Sequence, residues 1–394
     1  MSVKRSIVLT FGFLSAFFLF HSATSRAAAV HQQNEIKSTV DASILPLMAE
    51  NDIPGMAIAV TFMGEHYVFN YGVASKESGQ KVNDDTLFEI GSVSKIFTAT
   101  LAGYAQAKKS LSLSENASPY LPELTGSYFD KITLLELGTY TAGGLPLQFP
   151  DSIKDSETMI AYYKNWQPTY AAGTYRLYSN PSIGLLGYIA AKSLGQSFDD
   201  LMEKTLFPEL GLANTFINVP ENLMDRYAYG YSKTGKPIRV TPGILDSEAY
   251  GVKTTASDLV HFLDLSMNSA ALEDAMQQAI ATTHTGYFRL GNMVQGLGWE
   301  MYSYPIDMDT LIAGNAPKMI LEPKEASRIF PPRAPDAAML FNKTGSTNGF
   351  GAYLAFIPSR QIGIVMLANR NYPNQARIKA AYQILTALAA NPPR

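Results

Sequence analysis

Cysteine is absent from this 394-residue chain, so neither a disulfide framework nor a thiolate zinc site can organise it. Histidine is scarce. The 5 copies are scattered and never fall in a His-Glu-x-x-His pair, which leaves a histidine-built metal site unsupported. Positive charge is in short supply too. With 31 Lys and Arg against 34 Asp and Glu the formal net charge is −3, which argues against a nucleic-acid surface or an acidic-membrane partner. Neither an internal repeat nor a low-complexity tract interrupts the chain.

A membrane-spanning run is also missing. The apolar stretch "SIVLTFGFLSAFFLF", from Ser6 to Phe20, has about 15 residues, short of the roughly 18 that a spanning helix needs. Lys4 and Arg5 precede it, and small residues ending at Ala27, Ala28 and Ala29 follow. Basic start, apolar centre and Ala-x-Ala close describe a secretory signal peptide. The expectation is an exported protein whose leader, residues 1–29, is cleaved to leave a single domain over 30–394. Removing the leader takes away Lys4, Arg5 and Arg26 but no acid, so the mature chain is more acidic. Lack of cysteine is compatible with an oxidising compartment without requiring one.

What is present is apolar material for a large core, 46% hydrophobic against 16% charged residues. Val40, Ile44, Leu45 and Met48 recur at helical spacing between Glu35 and Glu50. "GMAIAVTFM", a turn at Gly64-Glu65 and "HYVFNYG" read as a β-hairpin. Near the other end "AMLFNKTGS", "GFGAYLAFIPS" and "IGIVMLAN" read as strands and "NQARIKAAYQILTALAA" as a closing helix. The ends therefore predict one antiparallel sheet built from N- and C-terminal segments and flanked by helices, an α/β (α+β type) architecture. The middle, roughly 92–267, reads as a mostly helical inserted subdomain. The Pro-rich "EPKEASRIFPPRAP" from Glu322 reads as a surface connection.

Three short stretches could carry chemistry. In "FEIGSVSKIFTATLAGYAQAKK" Val93, Ile96, Phe97, Leu101 and Tyr104 mark a buried helix whose only charge between Glu89 and Lys108 is Lys95. Ser92, three residues earlier, shares a face with Lys95 about one turn away. A serine beside an amine at a helix N-terminus can act as an activated nucleophile, and the free N–H groups there favour an oxyanion. The bland alternative is an N-cap serine with a snorkelling lysine. Ser-x-x-Lys also occurs at Ser78–Lys81, in a polar turn with no helix behind it.

Tyr-x-Asn occurs at Tyr163, Tyr178 and Tyr372. Tyr163 falls inside a helical run, where packing is the simpler role, and Tyr372 follows a strand, where a turn suffices. Only Tyr178-Ser-Asn180 sits on a loop entering a helix, with Ser179, Asn180 and Pro181 as helix-start residues. Lys-Thr-Gly is spelled twice. Lys233-Thr-Gly235 lies in a hydrophilic turn, whereas Lys343-Thr-Gly345 ends the apolar strand of Met339, Leu340 and Phe341. There Gly345 permits a ligand to approach the backbone closely.

In this order, Ser92-Val-Ser-Lys95, Tyr178-Ser-Asn180 and Lys343-Thr-Gly345 resemble the three boxes of the penicillin-recognising serine enzymes. Tyrosine in the second box looks like the class C β-lactamases. "TYTAGGLPLQFPD", "LDSEAYGVKT", "QGLGWEMY" and "LANRNYPNQARIKAAYQIL" match that class as well, so the similarity covers essentially the whole mature chain. Neither the Glu-x-x-Leu-Asn segment of class A nor a Gly-x-Ser-x-Gly elbow of the α/β-hydrolases occurs.

The resemblance implies a β-lactamase/DD-peptidase-like fold and a periplasmic monomer acting on small-molecule β-lactams without metal or organic cofactor. It implies that Ser92 is acylated, that the N–H groups of Ser92 and Ser346 hold the oxyanion, and that Lys95 and Tyr178 manage the protons. Gln148 and Asn180 would contact the substrate's amide side chain, and Tyr250 would line its pocket. Lys343, Thr344, Gly345, Asn374 and Arg377 would serve the carboxylate end. A free phenol has pKa near 10, so a Tyr178 phenolate base needs a shift of about three units, roughly 4 kcal/mol. Lys95 and Lys343 could supply it; alternatively Tyr178 relays a proton while Lys95 is the base. A peptidoglycan DD-peptidase would use the same groups and release the β-lactam acyl group slowly. A β-lactam-binding sensor domain or an esterase of the same fold are the remaining readings.

Overall fold

The computed structural model describes residues 12–390, with side chains from Val30 onward. The expected leader, residues 1–29, thus lies outside the described side chains, and the first helix is described as α1 (Gly12–Glu50). The hairpin forms, with its turn at Met63-Gly64, one residue earlier than expected. β1 (Gly55–Phe62) pairs with β2 (Glu65–Gly72) in register from Gly55 opposite Gly72 to Phe62 opposite Glu65. Gly64 takes φ +85° in the two-residue turn, a conformation that glycine adopts without steric cost.

These two strands form one edge of a nine-stranded antiparallel sheet. The others are β3 (Gly286–Leu290), β4 (Met293–Gln295), β5 (Glu300–Ser303), β6 (Ser327–Arg333), β7 (Met339–Ser346), β8 (Gly351–Ile357) and β9 (Ile362–Ala368), and the order across the sheet is β6-β3-β4-β5-β7-β8-β9-β1-β2. N- and C-terminal strands meet where β9 pairs with β1, Met56 opposite Ala368. Every residue of β1, β8 and β9 is buried, because helices cover both faces; hence these strands read as unbroken apolar runs rather than alternations. α1 packs with the closing helix α8 (Asn374–Ala390) on one face, and α5 (Ala256–Met267) packs on β1 and β9 from the other.

One expectation is corrected here. The Pro-rich stretch from Glu322 contains β6, which forms the far edge of the sheet against β3. Pro331 and Pro332 are compatible with that place because an edge strand leaves one side of its ladder unused.

The expected helical insertion is present. α2 (Ser94–Ala107) is buried on nearly all sides and packs on α3 (Asn180–Ser193) and α6 (Asp274–His284). α4 (Asp246–Tyr250) rests on both α2 and α3. A further short helix, α7 (Lys318–Leu321), precedes β6 in the chain. One continuous hydrophobic core joins sheet and insertion, and a cleft opens between them. Among the described residues no helix is long and apolar enough to cross a membrane.

Candidate active site

Ser92 lies in a single 3₁₀ turn, Gly91–Val93, that leads into α2. It does not cap the helix: Val93 holds the N-cap position without a side-chain cap. The Ser92 hydroxyl instead accepts a hydrogen bond from the Lys95 ammonium at 2.9 Å. Lys95 is fully buried and gives a second bond to the Ala249 carbonyl at 2.6 Å. Two acceptors thus hold the buried ammonium. Burial still disfavours its charge, and the nearby Lys343 adds to the effect while Tyr178 opposes it, so its pKa falls to about 8.

Tyr178 enters the site just ahead of α3. Ser179 caps that helix through its hydroxyl, which accepts from the Ser182 N–H at 3.0 Å, and Pro181 sits in the first turn. The phenol ring lies between two ammonium groups, with Lys95 Nζ 5.2 Å and Lys343 Nζ 5.0 Å from its centroid. Its hydroxyl is buried without a hydrogen-bond partner of standard geometry. Burial alone would push the phenol up. The charges of Lys343 and Lys95, helped by the Ser92 hydroxyl, outweigh that and bring it down to about 8.

Lys343, Thr344 and Gly345 run along the end of β7, where Lys343 Nζ donates to the Thr344 carbonyl at 2.9 Å. Gly345 also has a use within the fold. A Cβ there would lie 2.0 Å from the Ile90 carbonyl oxygen and 2.9 Å from the Val93 nitrogen, so its bareness lets the protein's own Ser92 turn pack on the strand. Gly91, at φ +51°, makes the matching contact: its Cβ would meet the backbone nitrogen of Ser346 at 2.5 Å.

The cleft has a volume of about 450 Å³, within the usual range of small-molecule sites. Ser92, Gln148, Tyr178, Asn180, Tyr250, Lys343, Thr344, Gly345, Ser346 and Asn374 all line it, so residues far apart in sequence converge as expected. Lys95 lies beneath, bonded to Ser92. Arg377 is the exception. Completely buried, it donates to the carbonyls of Gly345, Ala352 and Tyr372 and to the Asn371 amide oxygen; it braces the end of β7 from behind the cleft and does not line it.

Of the duplicate motifs, the third Tyr-x-Asn copy puts Asn374 on the cleft wall, and the others fall elsewhere. Lys233 and Gly235 are exposed in a turn between the short strands Gly230–Tyr231 and Pro237–Ile238, and Ser78 and Lys81 are exposed as well. Tyr163 is buried and donates to the Pro181 carbonyl. Sequence reasoning missed Arg176, Glu300, Met319 and Ile320. Glu300, Met319 and Ile320 line the cleft, and Arg176 is buried behind Tyr178. For Arg176 and Glu300 a signal existed: each is a lone charge in an apolar strand segment, at a place where charge must be paired.

Comparison with known proteins agrees with this geometry. The family model described as Beta-lactamase matches residues 40–389. A Beta-lactamase of Pseudomonas fluorescens is 57% identical over 354 residues, covering 90% of this chain and 99% of its own. The crystal structure of a class C β-lactamase in complex with cefoxitin is 50% identical, with TM-score 0.88 over 90% of this chain and 99% of its own. A D-alanine carboxypeptidase structure from Burkholderia cenocepacia, 52% identical, has TM-score 0.87 over 90% and 99%.

Proposed function

The chain belongs to the β-lactamase family, among its class C serine enzymes, and on that premise we propose that it hydrolyses β-lactams through an acyl-enzyme on Ser92. The observation that carries the reading is the 2.9 Å contact between Lys95 Nζ and Ser92 Oγ, made beside a phenol whose pKa is held down to about 8. In the first half-reaction Ser92 Oγ attacks the lactam carbonyl carbon, and its proton passes to the Lys95–Tyr178 pair. The C–N bond breaks, and the departing nitrogen takes up a proton from the same pair. In the second half a water attacks the ester, the pair accepts its proton, and Ser92 leaves as the restored hydroxyl. Because the two groups face one another and each shifts the other, their proton losses belong to the pair and not to either residue, and proton relay does not require a fixed base.

The N–H groups of Ser92 and Ser346 are assigned to the developing oxyanion; losing one such donor typically costs about 3 kcal/mol. Gln148, Asn180 and Tyr250 are assigned to the substrate's amide side chain, and Lys343, Thr344 and Asn374 to its carboxylate. Arg377 supports that end through the Gly345 carbonyl. We also propose a periplasmic monomer released from its leader over residues 1–29, a reading supported by the basic start, apolar run and Ala-x-Ala close.

A D-alanine carboxypeptidase is the second reading, supported by the names of two structural neighbours, from Burkholderia cenocepacia and Pseudomonas syringae. Turnover of a chromogenic cephalosporin separates the two. Sustained hydrolysis over many turnovers is expected; one stoichiometric burst followed by silence would transfer the protein to the peptidase reading.

A further inference from the structure

Behind Tyr178, on the short strand Tyr175–Arg176, Arg176 is buried with all three arms of its guanidinium bonded. Nε donates to the Gln295 amide oxygen at 2.7 Å, Nη1 to the Met319 carbonyl at 2.7 Å, and Nη2 to the Glu300 carboxylate at 2.6 Å. Its carbon centre lies 5.4 Å from the Tyr178 ring centroid and 5.3 Å from that of Tyr140, and these two rings are themselves 4.6 Å apart. Arg176 is thus a third cation against the phenol, after Lys95 and Lys343. Glu300, on β5, is the one acidic side chain lining the cleft among the described residues.

We propose that Arg176 and Glu300 are positioning residues for the reaction: the guanidinium fixes the Tyr178 ring and the α7 wall together, and the carboxylate balances the cations that converge on the phenol. This rests on the β-lactamase reading above. A buried ion pair adds little stability over apolar packing, so stability alone does not account for one set against the reacting phenol. Its geometry does two things. A three-armed guanidinium cannot shift without breaking bonds to β4, β5 and α7 at once, which holds the stacked ring in one place. Glu300 also works electrostatically. The charged and titratable groups facing Tyr178 are Lys95 from α2, Lys343 from β7, Arg176 from its strand, Glu300 from β5 and Tyr140 from the loop after Leu134–Gly138. Three are cations, Tyr140 stays neutral because burial raises its phenol well above the usual value, and only Glu300 is an anion. Glu300 raises the phenol, and so opposes the lysines that lower it.

The test is the pH profile of kcat/KM for a β-lactam in E300Q, E300D and R176K, each checked for folding by its melting curve. Glu300→Gln keeps the volume and an acceptor for Arg176 but removes the anion. Its acid limb is expected to move to lower pH by on the order of one unit, and Glu300→Asp to return it to the wild-type position. Arg176→Lys keeps the charge but cannot bridge Gln295, Met319 and Glu300. Its limb should stay in place while kcat falls on the order of tenfold, with little change in KM. An unmoved limb in folded E300Q overturns the proposal. Wild-type kcat in R176K overturns it independently, whether or not E300Q folds. A wild-type protein inert toward β-lactams is seen before any variant is made and overturns the underlying reading instead.

Discussion

Gly345 packs its bare Cα against the carbonyl oxygen of Ile90, so closely that a Cβ would lie 2.0 Å from that oxygen. Neither partner is a flexible side-chain end, and the turn that would have to move is the one carrying Ser92. Gly345→Ala is therefore expected to cost on the order of 1–3 kcal/mol in stability and to lower acylation by roughly a hundredfold through misplacement of the nucleophile. Melting curves and single-turnover rates measure the two effects. Wild-type acylation in this variant would mean that the contact does not set the position of Ser92.

The two Lys-Thr-Gly copies make a matched pair of controls. Lys343 is buried beside Tyr178, whereas Lys233 is exposed in a hairpin turn and does not line the cleft. Lys233→Ala should leave kcat/KM within about twofold, and Lys343→Ala should lower it by roughly a hundredfold or more. The pH profile gives a second reading. Removing one of the two cations that hold the Tyr178 phenol down lets burial raise it, so the acid limb of the residual activity of Lys343→Ala moves to higher pH. Equal effects of the two substitutions would contradict the site.

Glu248 gives a stability prediction with a definite sign. Buried in α4 among α2 and α3, it has its carboxyl pushed up to about 8 chiefly by burial, with Asp199 and Asp246 adding to it. The folded protein thus holds a proton that the unfolded chain releases above about 4.3. Its contribution to stability is complete below that value and is lost as pH rises through about 8. Glu248→Gln keeps the shape and removes the titration. Denaturant melts should show little difference from wild type near the bottom of that window and a gain on the order of 2–4 kcal/mol at its top. No gain at the alkaline end would mean that the carboxyl ionises freely in the fold.

Much of this was legible in the sequence because the informative signals were local. The hairpin of β1 and β2, the strands β7 to β9 and the closing helix all showed as apolar runs bounded by turn residues. The three boxes pointed to Ser92, Lys95, Tyr178 and Lys343, which meet at the cleft, and context chose Ser92, Tyr178 and Lys343 over copies such as Ser78, Tyr163 and Lys233, which do not line it. What escaped was decided by tertiary contact. β3 and β4 are short strands, five and three residues, marked only by the Gly291-Asn292 turn between them, and β6 carries two prolines that only its edge position makes tolerable. Arg377 followed the expected motif yet points inward, because its guanidinium satisfies backbone carbonyls that no sequence pattern reveals. Gly345 stood out as a place of close approach, but its contact with Ile90 is tertiary and has no mark in the sequence.

The central claim is that Ser92 Oγ becomes covalently acylated and is then released by water. It is tested most directly by the mass of the intact mature protein before, during and after brief exposure to a β-lactam. Wild-type protein should gain the mass of one opened β-lactam and return to its starting mass within the assay, while Ser92→Ala, folded as judged by its melting curve, should gain nothing. An adduct of the same mass on Ser92→Ala, or steady hydrolysis by that variant at near wild-type rate, would contradict the account.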